Sequence, residues 1–139
     1  MTAEYSVEVN CRLPNGRFCA KCCYETKMPL TREDVERIRK LGFKLKDFAC
    51  WRNGVLTLKN VDCHCVFLDV SSGKCKIYEH RPLGCKLYPL VYDVYSGKVL
   101  VDPYCPKANE VKRSATRLQY ELVKKVAENI LCKSSAKVR

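Results

Sequence analysis

Three cysteines fall within five residues at Cys19-Ala-Lys-Cys22-Cys23, and their spacing is the first chemistry the chain offers. A C-x-x-C pair lets two thiolates converge on one metal ion while the backbone amides stay free to hydrogen-bond the sulfurs. Cys22 and Cys23 are harder to satisfy together, because neighbouring side chains diverge in both helix and strand. A vicinal pair therefore points to two nearby metals, to a cluster, or to one ligand beside one packing residue. Cys65, Cys75, Cys85 and Cys105 follow, each at the end of an expected strand or in a turn, where ligands can converge without breaking a core element. Cys50, and Cys132 near the end of the last expected helix, read as small packing residues. Cys63, just before His64 and Cys65, is a spare thiol. Cys11 reads equally as a ligand or as a bystander.

Eleven cysteines in 139 residues have two common explanations, a disulfide scaffold or metal ligation, and the redox compartment decides between them. The stretch Met1–Asn10 has neither a basic segment nor an apolar one, so it does not read as a secretory signal. No run approaches the roughly 18 apolar residues needed to cross a bilayer, and an odd number of cysteines suits a disulfide framework poorly. The expectation is a cytoplasmic protein with reduced cysteines and no membrane association.

The composition, 47% hydrophobic and 29% charged, is that of an ordinary soluble globule, and the length suits one domain over residues 1–139. The net charge of +11 is uneven: from Lys107 onward nine basic and three acidic residues give +6. Such a surface attracts nucleic acid or other anions without specifying which. The first reading is a solvated helix face that keeps the protein soluble; the partner left open besides a metal ion is nucleic acid, bound weakly and non-specifically at most through the basic C-terminal helix.

The elements that carry the thiols are legible from pattern. Thr31 suits an N-cap with Asp34 at the third helical position, Leu30 and Val35 form a hydrophobic staple, and Gly42 supplies the stop. Val35, Ile38 and Leu41 share one face of that helix. Asn53-Gly54 predicts a hairpin turn between Ala49–Arg52 and Val55–Lys59. Short strands are expected at Cys65–Leu68 and Cys75–Tyr78, joined through Ser71-Ser72-Gly73, and a further hairpin at Leu90–Tyr95 and Lys98–Asp102. A long helix is expected from about 109 to 132, with Val111, Leu118, Leu122, Val126 and Ile130 as its apolar stripe and Lys112, Arg113, Arg117, Lys124 and Lys125 largely off it. Residues 133–139 read as a frayed tail, and no internal repeat is evident. The fold expected is α+β: a small single domain of short antiparallel strands and metal-binding turns, with a capped helix and a long C-terminal helix.

Phe18-Cys19-Ala-Lys-Cys22-Cys23, then Cys65-x-Phe67-Leu68, Cys75-x-Ile77-Tyr78-x-x-Arg81-Pro82-x-x-Cys85-Lys86-x-Tyr88-Pro89 and Cys105-Pro-Lys-Ala108 together resemble the YkgJ-type cysteine-cluster family, a zinc- or iron-chelating domain. The ordered match spans 18–108. The resemblance implies a metal centre gathered from both halves of the domain, with Cys19, Cys22, Cys23, Cys65, Cys75, Cys85 and Cys105 as ligands. The family opens C-x-x-C-G-x-C-C, which would put its first cysteine where this chain has Gly16, and Cys11 is the residue that would substitute through a longer loop. Where family members have Arg after the seventh cysteine, Lys86 keeps the charge but loses the planar fork.

Arg81 could donate to thiolates, bind an anionic ligand, or hold the Pro82 turn. Tyr78, Phe67 and Tyr88 read as core packing, and His64 and His80 as exposed or structural. Thiolate-rich sites suit Zn²⁺ and iron–sulfur clusters alike, so the cofactor is zinc or iron, the iron as ion or cluster. There is no phosphate-cradling glycine loop, no dinucleotide fingerprint and no Ser–His–Asp set. Similar modules occur in flagellin lysine N-methylases, which keeps open a component of a methylation or redox enzyme, or a basic nucleic-acid-binding zinc module, beside the metal-binding reading.

Overall fold

The computed structural model of the chain describes residue 7, residue 11 and residues 13–138, with side chains through Leu131. Helix α1 (Arg32–Lys40) begins at a reciprocal capping box, in which the Thr31 hydroxyl accepts the Asp34 amide and the Asp34 carboxylate accepts the Thr31 amide. It ends at Gly42, whose φ of 104° is open to glycine at no steric cost. Ile38 is buried, but Leu41 lies outside the core, because the chain has already turned at its C-cap. After the short helix α2 (Leu45–Phe48), strands β1 (Ala49–Arg52) and β2 (Val55–Leu58) pair antiparallel. Asn53 and Gly54 both take positive φ between them, the geometry that suits a two-residue hairpin turn.

Two ladders of only two residue pairs come next. β3 (Asn60–Val61) pairs with β4 (His64–Cys65) across Asp62-Cys63, and β5 (Leu68–Asp69) pairs with β6 (Lys74–Cys75). The expected strands at Cys65–Leu68 and Cys75–Tyr78 are corrected here. Cys65 closes one ladder while Leu68 opens the next, and a 3₁₀ turn at Tyr78–His80 ends any strand beyond Cys75. Tyr78 is exposed rather than core, because that turn lifts its ring under the Arg81 guanidinium.

Helix α3 (Leu83–Leu87) leads through a cis Tyr88–Pro89 bond into the hairpin of β7 (Leu90–Asp93) and β8 (Lys98–Val101). The expected single C-terminal helix over about 109–132 is two helices, α4 (Ala108–Ser114) and α5 (Arg117–Val138). The break is a second capping box: the Thr116 amide donates to Gln119 Oε1 and the Gln119 amide to Thr116 Oγ1. It rotates the buried face, so Gln119 and Val123 point inward and Leu118 is exposed. The backbone stays helical through Val138, in place of a frayed tail from 133. Among the described residues, no helix is long and apolar enough to cross a membrane.

Two apolar clusters result, and the architecture is α+β with every strand in an antiparallel pair. The first gathers Leu30, Ile38, Phe48, Leu58, Phe67 and Ile77 with buried Cys65, and Cys23, Cys75 and Cys85 lie against it. The second joins Leu87, Leu90, Val101, Val111 and Val123.

An internal repeat, not expected from the sequence, is present after all. Asp69-Val-Ser-Ser-Gly73-Lys74 and Asp93-Val-Tyr-Ser-Gly97-Lys98 build the same turn. In each, the Asp side chain accepts the amide two residues on and the Ser hydroxyl, and the Gly amide donates to the Asp carbonyl.

Candidate metal centre

The expected ligands sit on short elements: Cys65 ends β4, Cys75 ends β6, and Cys85, expected at a strand end or in a turn, lies instead inside helix α3. The Cys19 amide donates to the Cys11 carbonyl at 2.6 Å, and Leu13 bonds Arg17 around the Pro14-Asn15-Gly16 tip. Cys11 thus lies across from Cys19. Phe18 donates to the Ser72 carbonyl, fastening this loop to the β5–β6 turn. A Cβ on Gly73 would collide with the Phe18 carbonyl, so only glycine fits there.

Cys22 and Cys23 occupy a 3₁₀ turn, Lys21–Cys23. The residues after it are held to β3–β4 by the Glu25 amide on the Cys63 carbonyl and by Asn60, which bonds Thr26 on both its amide and its carbonyl.

Three thiols outside the C-x-x-C pair show the amide-to-sulfur bond expected of that pair. Cys65, Cys75 and Cys105 each accept a backbone N–H from the residue two positions on, Phe67, Ile77 and Lys107. Such a bond favours the charged sulfur. Burial works against it, raising Cys65 to about 11 and pushing Cys75 and Cys105 up as well. Cys85 is raised well above the usual thiol value, again first by burial. Cys23 donates its S–H to Cys22, which brings Cys22 down to about 7 and drives Cys23 far up.

The thiols lie within electrostatic reach of one another in a definite pattern. Cys23 feels Cys65 and Cys85, Cys65 feels Cys75, and Cys85 feels both Cys65 and Cys75. Cys11 feels Cys19, Cys22 and Cys105, and Cys105 feels Cys19 and Cys22. Cys22 is within reach of both groups, acting on Cys11 and Cys105 as well as on Cys23, Cys65, Cys75 and Cys85. Cys50 and Cys63 take no part: Cys50 lies beside the Thr57 hydroxyl at 3.7 Å, and Cys63 is exposed on a turn. Among the described residues, no three candidate ligands already stand in the geometry of a bound ion. The donor set itself fits zinc or iron, since soft thiolates with amide-to-sulfur bonds are what both metals take. The side chain of Cys132 lies outside the described residues.

Arg81 stands beside this group without bonding a sulfur. Its Nε donates to the Tyr78 carbonyl at 2.8 Å and its guanidinium lies 4.0 Å over the Tyr78 ring, while its charge favours the Cys11, Cys22, Cys75 and Cys85 thiolates. His64 Nδ1 meets the Cys65 carbonyl, and His80 is exposed. Sequence reasoning passed over Asp102, which accepts the Tyr88 hydroxyl at 2.7 Å and the Tyr104 amide at 2.9 Å beside Cys105. It also passed over a buried charge group at α3, for which only the Asp34 capping signal was available.

Known proteins point the same way. The model of the family described as "CxxCxxCC: Putative zinc- or iron-chelating domain" matches residues 11–128. The chain is similar to "Uncharacterized protein MJ0661" of Methanocaldococcus jannaschii, 39% identical over 88 residues, which are 58% of this chain and 48% of that protein. The chain therefore spans about half the length of that relative. No solved structure matches.

Proposed function

Because the chain belongs to the CxxCxxCC family of zinc- or iron-chelating domains, we propose that it binds metal through eight thiols divided into two four-cysteine sets. Cys23, Cys65, Cys75 and Cys85 form the inner set, and Cys11, Cys19, Cys22 and Cys105 the outer one. What supports this reading is the nearness of these thiols: Cys23, Cys65, Cys75 and Cys85 lie together against the first apolar cluster or within it, the Cys19 amide bonds the Cys11 carbonyl, and Cys22 lies within electrostatic reach of both groups. The vicinal pair is then the seam of the two sites, each cysteine serving the side it faces. Four thiolates make a tetrahedral set that suits zinc or iron. A bound ion would cross-link segments that short ladders alone hold loosely, so its role is to complete the fold and to be carried in it.

Metal analysis of protein purified without air, with its visible spectrum, tests this. Two zinc ions per chain, or one ion with one iron–sulfur chromophore, is the expected result. Cys105→Ser should lose the outer site and keep the inner one. Loss of all metal in that variant would mean one undivided centre, and a metal-free, folded wild type would end the proposal.

A further inference from the structure

The carboxylate of Asp34 is 1% exposed and takes three donors. Oδ2 accepts the Thr31 amide at 2.9 Å, while Oδ1 accepts Arg37 Nη2 at 2.8 Å and the Leu83 amide at 2.9 Å. The last bond reaches across 49 residues. Leu83 opens α3, and the residue before it is Pro82, whose ring offers no capping oxygen. Asp34 therefore closes the starts of two helices at once, its own and the one that carries Cys85. Arg37 donates the same Nη2 to the Arg81 carbonyl at 2.8 Å. One ion pair on α1, its carboxylate buried and its guanidinium half-buried, thus grips a donor and an acceptor in the Arg81-Pro82-Leu83 main chain, two residues ahead of Cys85. From the other side the Met28 side chain packs closely against Gly84. Lys86, also buried, lies within reach of the charges of Arg37, Arg81 and Asp34.

We infer that Asp34 is a positioning residue for the metal centre: through Leu83 it sets the start of α3 and the aim of the Cys85 thiol, and through Arg37 it sets Arg81. This rests on the metal-binding reading above, and its test separates the two. Asp34→Asn keeps the size of the side chain but breaks the ion pair and cannot accept from all three donors. Thr31→Ala weakens the α1 cap and leaves the bonds to Leu83 and Arg37 in place, so it controls for helix stability alone. Zinc affinity by chelator competition, the Co²⁺ spectrum, and the alkylation rate of Cys85 in the protein as purified are compared for both variants.

Asp34→Asn should lower zinc affinity by roughly 10–100-fold, as loss of groups behind metal ligands does, change the Co²⁺ bands and speed Cys85 alkylation. Thr31→Ala should leave affinity and spectrum as in the wild type. Equal behaviour of the two variants overturns the assignment. If the wild type proves folded and metal-free, the metal reading falls, and Cys85 alkylation alone decides: faster in Asp34→Asn than in Thr31→Ala supports the positioning role, equal rates refute it. Should Asp34→Asn not fold, Arg37→Gln, which frees the Arg81 carbonyl without touching the α1 cap, takes its place with the same outcomes.

Discussion

The β5–β6 and β7–β8 hairpins share one six-residue turn and its hydrogen bonds, yet the strands they join have different fates. In the β7–β8 hairpin the ladder runs four pairs, from Asp93↔Lys98 to Leu90↔Val101, and ends in an apolar cluster with no cysteine among its described members. In the β5–β6 hairpin it stops after two, Asp69↔Lys74 and Leu68↔Cys75. Cys75 stands where Val99 stands in the longer hairpin. The turn supplies the reversal in both cases, but the residues after the turn decide whether a sheet grows. A cysteine whose sulfur accepts the Ile77 amide bends the chain out of the ladder. An isolated two-stranded hairpin is marginal in water, so the short one depends on its thiol and its neighbours for stability.

The sharpest way to break this comparison is to remove the metal. A structural zinc contributes on the order of 10–16 kcal/mol in zinc-finger peptides, comparable with the roughly 5–15 kcal/mol stability of a whole domain. Chelation in reducing buffer should melt the protein cooperatively, and amide exchange should show protection vanishing first at Lys74–Lys76. An unchanged circular dichroism melt after complete metal removal would show that the short ladders stand by themselves.

The matched positions give the next contrast. Cys75→Ser should lose inner-site metal and with it most of the stability, since a serine oxygen is a poor substitute for thiolate on a soft site. Val99→Ala should cost about 1 kcal/mol, less than a fully buried large-to-small change, and keep all metal. Metal analysis beside a denaturant melt reads both, and metal loss in Val99→Ala would mean that the two hairpins are not independent.

The turn glycines sharpen the same point with a smaller effect. Gly73 and Gly97 have φ of 77° and 69°, so alanine at either carries left-handed strain of roughly 1–2 kcal/mol. At Gly97 the nearest atom to a new Cβ is the Tyr92 hydroxyl at 3.8 Å, whereas at Gly73 it is the Phe18 carbonyl. Gly73→Ala should therefore be the costlier by urea melting and should also weaken metal binding through the Cys11–Cys19 loop. Equal costs would show that this loop shifts freely.

The smallest effect belongs to the surface. Lys112, Arg113, Arg117, Lys124 and Lys125 are exposed on α4 and α5, and Arg117 is engaged with Glu121 at 3.1 Å. Weak binding to mixed-sequence DNA or RNA should be measurable at low salt and nearly gone by roughly 200 mM as counterion release loses its drive. Tight binding at that salt, measured by fluorescence anisotropy, would make the basic face a second functional region.

The sequence alone determined whatever a few neighbouring residues decide together. The Thr31–Asp34 box, the Asn53-Gly54 turn and the strand-end places of Cys65 and Cys75 were readable, because each rests on interactions spanning a handful of positions, whereas helix α3 around Cys85 was not. Thr116-Arg-Leu-Gln119 was readable in the same way, but the apolar period running through it hid the break between α4 and α5. The nearness of Cys23, Cys65, Cys75 and Cys85 around one apolar cluster and the grip of Asp34 on Leu83 were decided only in three dimensions. Both depend on which faces of distant loops pack against one another, and a carboxylate spent on its own helix looks the same in sequence as one that also caps a helix 49 residues away. Local propensity fixes a turn wherever it occurs, while convergence comes from burial shared across the whole chain.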